Sequence, residues 1–147
     1  MPTDRQFLLD LYAETRSAEL AVTGWTDDQR RHFITMQFDA QDTDYRMRHP
    51  SASFDVVLLH GDPIGRLYVD RRLDTVHLID ITISAALQRR GIGTALLVQL
   101  QDEARATARS ITLFADVSNP ARAWYERLGF ATVRLQGVHV FMSWRAA

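Results

Sequence analysis

Residues 86–97 read ALQRRGIGTALL, and this stretch decides the fold of the chain. It follows the apolar run HLIDITIS (77–84), which is typical of a strand, and it leads at once into apolar residues at helical spacing. Gly91 and Gly93 let the backbone approach a ligand closely, and the two arginines before them can reach phosphate oxygens. The composition is typical of a loop that wraps a phosphate, although a simple connector with surface arginines would have the same pattern.

The same residues exclude two common nucleotide-binding motifs. The dinucleotide-binding fingerprint needs a third glycine at the position that Leu96 occupies. A Walker A loop needs a lysine, and all 17 basic residues of the chain are arginine.

The composition predicts a single globular domain over residues 1–147, with 46% hydrophobic and 24% charged residues. A net charge of −1 argues against nucleic acid as a partner. The absence of a signal-peptide pattern and of a long apolar run predicts a cytoplasmic protein without a membrane partner. The chain has no cysteine, and its five histidines lack metal-ligand spacing, so neither a covalent cysteine intermediate nor a metal is expected.

Hydrophobic periodicity predicts an α/β fold with a mixed sheet. Asp27 is the expected cap of the second helix, and residues 42–52 are expected to form a loop. The unit around residues 86–97 should make its two flanking strands parallel neighbours. The predicted helices are 4–22, 28–40, 92–104 and 119–128, and the predicted strands are 54–59, 64–69, 75–83, 111–117, 130–135 and 138–144.

Two segments resemble the signatures of one family. The run Gln88-Arg89-Arg90-Gly91-Ile92-Gly93 resembles the Q/R-x-x-G-x-G/A pyrophosphate loop of the GCN5-related N-acetyltransferase (GNAT) family. Residues 119–130, NPARAWYERLGF, resemble in loose form the second signature of that family, N-x-x-A-x-x-x-Y-E-x-L-G-F. The resemblance covers residues 53–145 and extends more weakly to the N-terminal helices.

The resemblance implies a fold, a co-substrate and a reaction. The fold is a mostly antiparallel sheet whose central parallel strand pair is splayed around a CoA crevice and flanked by helices. Acetyl-CoA is the implied donor, and the implied acceptor is a primary amine of a small molecule or of a peptide or protein N-terminus. Without a cysteine, the amine would attack directly in a ternary complex. The implied cofactor-binding residues are Ile81, Ile83, Gln88, Arg89, Arg90, Gly91, Ile92, Gly93, Thr94 and Asn119.

Two side chains are the catalytic candidates. Tyr125 occupies the position of the family's usual general acid, but its spacing on the helix also fits a core tyrosine. Asp80 lies in an apolar strand, where burial would make its carboxylate a better proton acceptor, but a structural ion pair with Arg66 is the alternative explanation. Asp116 is a weaker alternative base, and ordered water can also deprotonate an amine. Asn119 fits both a contact with the pantetheine arm and a helix cap.

The sequence departs from the family pattern at two places. Ala85 stands where many members have proline, and no segment before the first helix matches the family's usual first strand. We therefore expect the first edge strand to be missing, which would leave an exposed sheet edge that could pair in a homodimer.

The acceptor and the exact activity stay open at this stage. The regions that select the acceptor in this family hold mostly aromatic and amide side chains, which also fit a packed helical hairpin. These side chains are Glu19, Trp25, Phe33, Gln37, Phe38, Gln41, Tyr45 and Gln136. The polar block 37–48 also fits a solvated helix face. A non-catalytic acyl-CoA-binding module, a larger acyl group and, less well, a tRNA-acetylating toxin are alternative interpretations.

Overall fold

The computed structural model describes residues 2–146, which form one six-stranded sheet and its flanking helices. The sheet has the strand order β1-β2-β3-β4-β6-β5, so β1 and β5 are its edges. The elements are α1 (Pro2–Ala21), α2 (Asp27–Arg48), β1 (Ser53–Leu59), β2 (Asp62–Arg71), β3 (Thr75–Ile83), a 3₁₀ turn (Ala85–Leu87), α3 (Ile92–Ala106), β4 (Ser110–Asp116), α4 (Ala121–Arg127), β5 (Ala131–Gln136) and β6 (His139–Trp144).

The predicted mixed sheet with a splayed parallel pair is confirmed. Strands β1, β2 and β3 form an antiparallel meander, and β5 and β6 form an antiparallel hairpin. Strands β3 and β4 are parallel, but they pair only from Thr75 to Leu78 against 110–113. Beyond Leu78 the two strands separate and leave a gap at their C-terminal ends. Open α/β sheets bind ligands at such a place.

Alternation along the strands assigns the two faces of the sheet. Val69 packs into the main core, where Leu97 and Leu100 of α3 lie against β3 and β4. Tyr68, its neighbour in the chain, points to the opposite face and contacts Tyr45 of α2. Helices α3 and α4 therefore cover one face, and α1 and α2 lie on the other.

The second helix differs from its prediction at both ends. Its N-cap is Thr26 rather than Asp27, because Thr26 and Gln29 form a capping box in which each side chain accepts from the other residue's backbone N–H. The helix also continues to Arg48 through the expected loop. Ion pairs between Asp42 and Arg46 and between Asp44 and Arg48, each four residues apart, support these extra turns.

No strand precedes α1 within residues 2–146, in agreement with the expected absence of the first edge strand. Strand β1 instead occupies one edge of the sheet, directly after the α1–α2 hairpin. The predicted pairing of an exposed edge with a second subunit stays a prediction.

Candidate active site

The loop between β3 and α3 is an open cradle of backbone N–H groups. Gly91 is the N-cap of α3 and has a φ of 80°, in the left-handed region that favours glycine. No side chain caps this helix, and its first backbone bond runs from the Ala95 N–H to the Gly91 carbonyl. The N–H groups of Ile92, Gly93 and Thr94 therefore have no partner within the helix, and they lie at the positive end of its dipole.

The side chains around this cradle are positioned for an anion. Arg89 and Arg90 are exposed, and neither forms an ion pair within the described part of the chain. Gln88 donates from Nε2 to the carbonyl of Ile83 (2.9 Å), which closes the start of the loop onto the end of β3. The predicted pyrophosphate residues thus form one continuous surface at the mouth of the gap.

The gap between β3 and β4 exposes backbone donors. The N–H of Ser84 donates to the carbonyl of Ile64 in β2 (2.7 Å), so this N–H points toward β2. Successive N–H groups of a strand point to opposite sides, so those of Ile83 and Ile81 point away from β2. Because β4 pairs with β3 only as far as Leu78, these two groups face the gap.

Tyr125 of α4 lies beside the gap with its ring buried. The ring contacts Trp124 and Phe130, with centroids 5.0 and 5.8 Å away, so the core packing that the sequence allowed is present. Its hydroxyl forms no hydrogen bond within residues 2–146. Burial and the negative charge of Asp80 raise the pKa of Tyr125, so the phenol stays protonated at neutral pH.

Helix α4 is tied to the loop through one tryptophan. Trp124 donates from its indole N–H to the Thr94 hydroxyl (2.9 Å), and its ring lies against Gly93. A Cβ atom built on Gly93 would be 3.5 Å from that ring, so only a small residue fits there without displacing α4. The two segments with the family signatures are therefore in direct contact.

Comparison with known proteins identifies this arrangement. The sequence model of the Acetyltransferase (GNAT) family matches residues 9–130. The chain belongs to the GNAT family. Among solved GNAT structures, the PaiA N-acetyltransferase of Thermoplasma acidophilum in complex with coenzyme A has a TM-score of 0.73 at 14% identity, covering 98% of this chain and 94% of that one.

Two further structures share the fold. An acetyltransferase from Thermus thermophilus has a TM-score of 0.69 at 18% identity, covering 99% of this chain and 93% of that one. The ribosomal-protein-S18-alanine N-acetyltransferase of Escherichia coli has a TM-score of 0.60 at 23% identity, covering 71% and 76%. The resemblance that the sequence motifs indicated is thereby confirmed for the family and for the fold.

Asp80 forms the ion pair that the sequence left open. Its Oδ2 pairs with the guanidinium of Arg66, and its Oδ1 accepts from the Thr82 hydroxyl (2.7 Å). Arg66 in turn donates to the side-chain oxygen of Gln41 on α2 (2.9 Å). Asp80 is therefore held in a network that joins the α2 side of the sheet to the gap. Its role as a base stays a prediction.

The two other polar candidates, Asp116 and Asn119, form hydrogen bonds with residues that are close in the sequence. Asp116 accepts from the backbone N–H and the hydroxyl of Ser118, which lowers the pKa of this exposed carboxyl and weakens it as a base. Asn119 accepts from the N–H of Ala121 (2.9 Å) in a turn before α4, but the N-cap of this helix is Pro120, so Asn119 is not the cap that the sequence allowed. A contact of Asn119 with a pantetheine arm stays a prediction.

One residue of the site was missed by the sequence analysis. Glu14 of α1 accepts from the backbone N–H of Ala85 (2.9 Å) and lies 3.5 Å from the Ser84 hydroxyl. Ala85 stands where many GNAT members have proline, which has no N–H, so the substitution creates a donor that Glu14 satisfies. The signal exists only in three dimensions, because 71 residues separate the partners.

Residues 2–146 contain neither a metal-binding cluster nor a membrane-spanning helix. No group of three or more histidine, aspartate or glutamate side chains is arranged to hold a metal ion there. Likewise, none of the helices in this range is both long enough and apolar enough to cross a membrane.

Proposed function

We propose that this GNAT protein is an acetyl-CoA-dependent N-acetyltransferase that moves an acetyl group to a primary amine. The acceptor is a small molecule or a peptide or protein N-terminus, and the amine attacks directly in a ternary complex. One observation carries the proposal: the uncapped start of α3 opens into a gap that holds backbone donors and the protonated Tyr125. A cysteine relay is ruled out because the chain contains no cysteine.

The residues fit a CoA thioester along the whole length of the site. The N–H groups of Ile92, Gly93 and Thr94 would bind the pyrophosphate, with Arg89 and Arg90 adding positive charge and Gln88 and Gly91 shaping the loop. Asn119 would hold the pantetheine arm at the start of α4. Bound there, CoA supplies an activated acetyl group.

The reaction requires charge stabilisation and two proton transfers. The N–H groups of Ile81 and Ile83 stabilise negative charge on the thioester oxygen as the amine nitrogen bonds to the acetyl carbon. The hydroxyl of Tyr125 donates a proton to the sulfur as the carbon–sulfur bond breaks. Asp80 or an ordered water accepts the proton that the amine loses. Holding both reactants in one gap supplies the proximity contribution.

Replacing Tyr125 tests the proposed acid. We expect Tyr125→Phe to lower kcat about 100-fold, the usual contribution of a general acid, while the Kd for acetyl-CoA stays unchanged. Acetylation rates on a broad amine panel and calorimetric titration measure the two quantities. The matched control is Tyr12→Phe, which removes a buried hydroxyl from the α1–α2 interface and should leave both values unchanged.

Two outcomes would contradict the proposal. An unchanged kcat in Tyr125→Phe would remove the tyrosine from the mechanism. Tight acetyl-CoA binding by the wild type without acetylation of any amine would favour the non-catalytic acyl-CoA-binding alternative. A single domain over residues 1–147 and a cytoplasmic location complete the proposal.

A further inference from the structure

A second concave surface lies on the sheet face that carries Tyr68. It is a cleft of about 850 Å³ between the C-terminal half of α2 and the face of β3, β4, β6 and β5. We name it the arginine cleft, after three of the side chains that line it, Arg48, Arg72 and Arg134. Phe114 and Phe141 form an aromatic part of its wall.

Positive charge predominates in the arginine cleft. Asp44 is the one carboxylate among its described lining residues, and Arg48 already binds it (3.0 Å). Asp70 lies beneath Arg72 and is bound by it (3.1 Å) and by His49 (2.9 Å). Arg134 donates to the side-chain oxygen of Gln136 (3.4 Å), which also lines the cleft. No carboxylate within the described residues pairs with Arg134, so its charge is available to a ligand.

The fold aims Arg134 into this cleft. A β-bulge between Thr132 and Arg134 shifts the register of β5 against β6, and a bulge of this kind redirects a side chain. The guanidinium of Arg134 lies 4.3 Å from the centre of the Phe141 ring, which supports it as a flat platform. Phe141 contacts Phe114 in turn, with ring centroids 5.0 Å apart.

The arginine cleft borders the reaction gap at Leu78 and Ile79, where β3 and β4 begin to separate. Ile79 and Tyr45 line it, and Gln41, also in its lining, accepts from the Arg66 that pairs with Asp80. Burial and the negative charge of Asp80 raise the pKa of Tyr45, so Tyr45 lies within electrostatic reach of Asp80. The negative charge of Asp80 also raises the pKa of Tyr125 beside the gap.

The spacing between strands predicts the length of a ligand that reaches from the reaction gap to Arg134. The guanidinium of Arg134 lies over Phe141 of β6, and the gap lies between β3 and β4. The smallest lateral distance between the two places is one and a half strand spacings, or about 7 Å. An extended peptide advances about 3.3–3.6 Å per residue, so this distance matches two residues. An acceptor with its amine at the gap would place a carboxylate two residues away beside Arg134.

We propose that the arginine cleft selects acceptors that carry a carboxylate about one dipeptide length from the reacting amine, with Arg134 as the residue that binds the carboxylate. This inference rests on the proposed acetyltransferase activity. The aromatic wall favours an apolar body between the two charged ends. Polyamines are disfavoured, because Asp44, the one carboxylate among the described lining residues, is already bound to Arg48.

A matched pair of acceptors tests the carboxylate preference. Ala-Phe and Ala-Phe amide have the same reacting amine and aromatic body and differ only at the C-terminus. We expect the wild type to acetylate Ala-Phe with a kcat/KM at least about 10-fold higher than that of the amide, as a charge-assisted hydrogen bond implies. Arg134→Ala should remove this preference, mainly through KM, and Arg134→Lys should keep part of it. The exposed Arg145, outside the cleft, provides the control Arg145→Ala, which should behave as the wild type.

Several results would overturn the inference. They are equal rates on the acid and the amide, equal losses on both in Arg134→Ala, a preference for spermidine, or equal use of a long peptide such as Ala-Phe-Ala-Ala-Ala. If no amine is acetylated, the proposed function fails and the cleft is tested by titrating N-acetyl-Ala-Phe and its amide in the presence of CoA. A carboxylate preference that Arg134→Ala abolishes would then support the cleft alone, and the absence of one would overturn it.

Discussion

Gly65 of β2 and Gly93 of α3 both lie near Ile83, and a methyl group would meet different surroundings at each. A Cβ atom on Gly65 would overlap the carbonyl oxygen of Thr82 and lie 2.9 Å from the Ile83 side chain. A Cβ atom on Gly93 would reach ordinary contact with the Trp124 ring at 3.5 Å. The first glycine is therefore required by close strand approach, whereas the second tolerates alanine, as the family motif also allows.

These contacts predict opposite effects on stability. We expect Gly65→Ala to lower the free energy of unfolding by about 1–3 kcal/mol, because the backbone of β3 must shift. Gly93→Ala should be neutral or should raise it by up to about 1 kcal/mol, since alanine is favoured inside a helix. Urea unfolding of both variants measures the difference. Equal stability of the two variants would show that β2 and β3 do not approach as closely as described.

At the scale of an element, the C-terminus of α3 also depends on one residue in an unusual backbone conformation. The N–H of Arg109 donates to the Ala104 carbonyl (2.9 Å) and that of Ala108 to the Arg105 carbonyl (3.3 Å), the pattern of a Schellman motif. The left-handed position of this motif, with a φ of 54°, is occupied by Ala108. Glycine is the residue that this conformation favours.

Exchanging this alanine should stabilise the helix end. We expect Ala108→Gly to raise the free energy of unfolding by about 1 kcal/mol, because the Cβ atom opposes the left-handed conformation. The control is Ala106→Gly, two residues earlier at the last residue of α3, which should lower it by up to about 1 kcal/mol. Thermal and urea unfolding distinguish the two signs. Destabilisation by both glycines would contradict the left-handed cap.

The elements that the sequence predicted well are those with strong local patterns. Helix α3 and strands β2, β3, β4 and β6 follow from hydrophobic periodicity, because each contributes buried side chains to the same core. The edge strands β1 and β5 were also predicted, although they contribute no buried residue to that core. The ends of α2 were wrong, although Thr26 and Gln29 have the spacing of a capping box and Asp42–Arg46 the spacing of a helical ion pair. Polarity was taken there as evidence for a loop, whereas the charged side chains stabilise a solvated helix.

The candidate site was likewise predicted where its sequence pattern is local and was not predicted where it depends on tertiary contacts. Residues 88–91 were predicted as the loop before the helix at 92–104, because the motif is contiguous and its glycine and arginine chemistry is local. The contact of Glu14 with Ala85 and the placement of Arg134 in the cleft were not predicted. Both depend on strand order and register, which bring distant segments together and leave no periodic signal in the chain.

At the scale of the whole molecule, one buried histidine links stability to pH. Burial, the positive charge of Arg72 and the neighbouring His49 lower the pKa of His77 from its ordinary 6.5 to about 4, despite an opposing effect of Asp70. His77 stacks on His49 and shares a hydrogen bond with the hydroxyl of Thr112. Between these two pKa values, the unfolded chain binds a proton that the folded protein does not.

The stabilising contribution of neutral His77 is therefore complete above pH 6.5 and is lost as the pH falls toward 4. We expect this loss to reach roughly 3 kcal/mol. Urea unfolding at about pH 7.5 and about pH 4.5, on either side of this range, should show a smaller decrease for His77→Gln than for the wild type. The control His32→Gln changes an exposed histidine of α2 and should follow the wild type. The same decrease in all three proteins would contradict the low pKa of His77.

Binding of acetyl-CoA at the β3–α3 loop is the central claim for the molecule as a whole. Calorimetric titration with acetyl-CoA of the wild type, Gly91→Asp and Gly61→Asp tests it most directly. Both glycines have positive φ values, 80° and 85°, and open space at the Cβ position, but Gly61 lies in the β1–β2 turn. Both variants therefore place a carboxylate in the same strained conformation, and only Gly91→Asp places it in the loop.

We predict micromolar binding by the wild type and Gly61→Asp and at least about a 100-fold loss in Gly91→Asp, since the new charge repels the pyrophosphate. No binding by the folded wild type, or equal binding by all three proteins, would contradict the assignment of this loop.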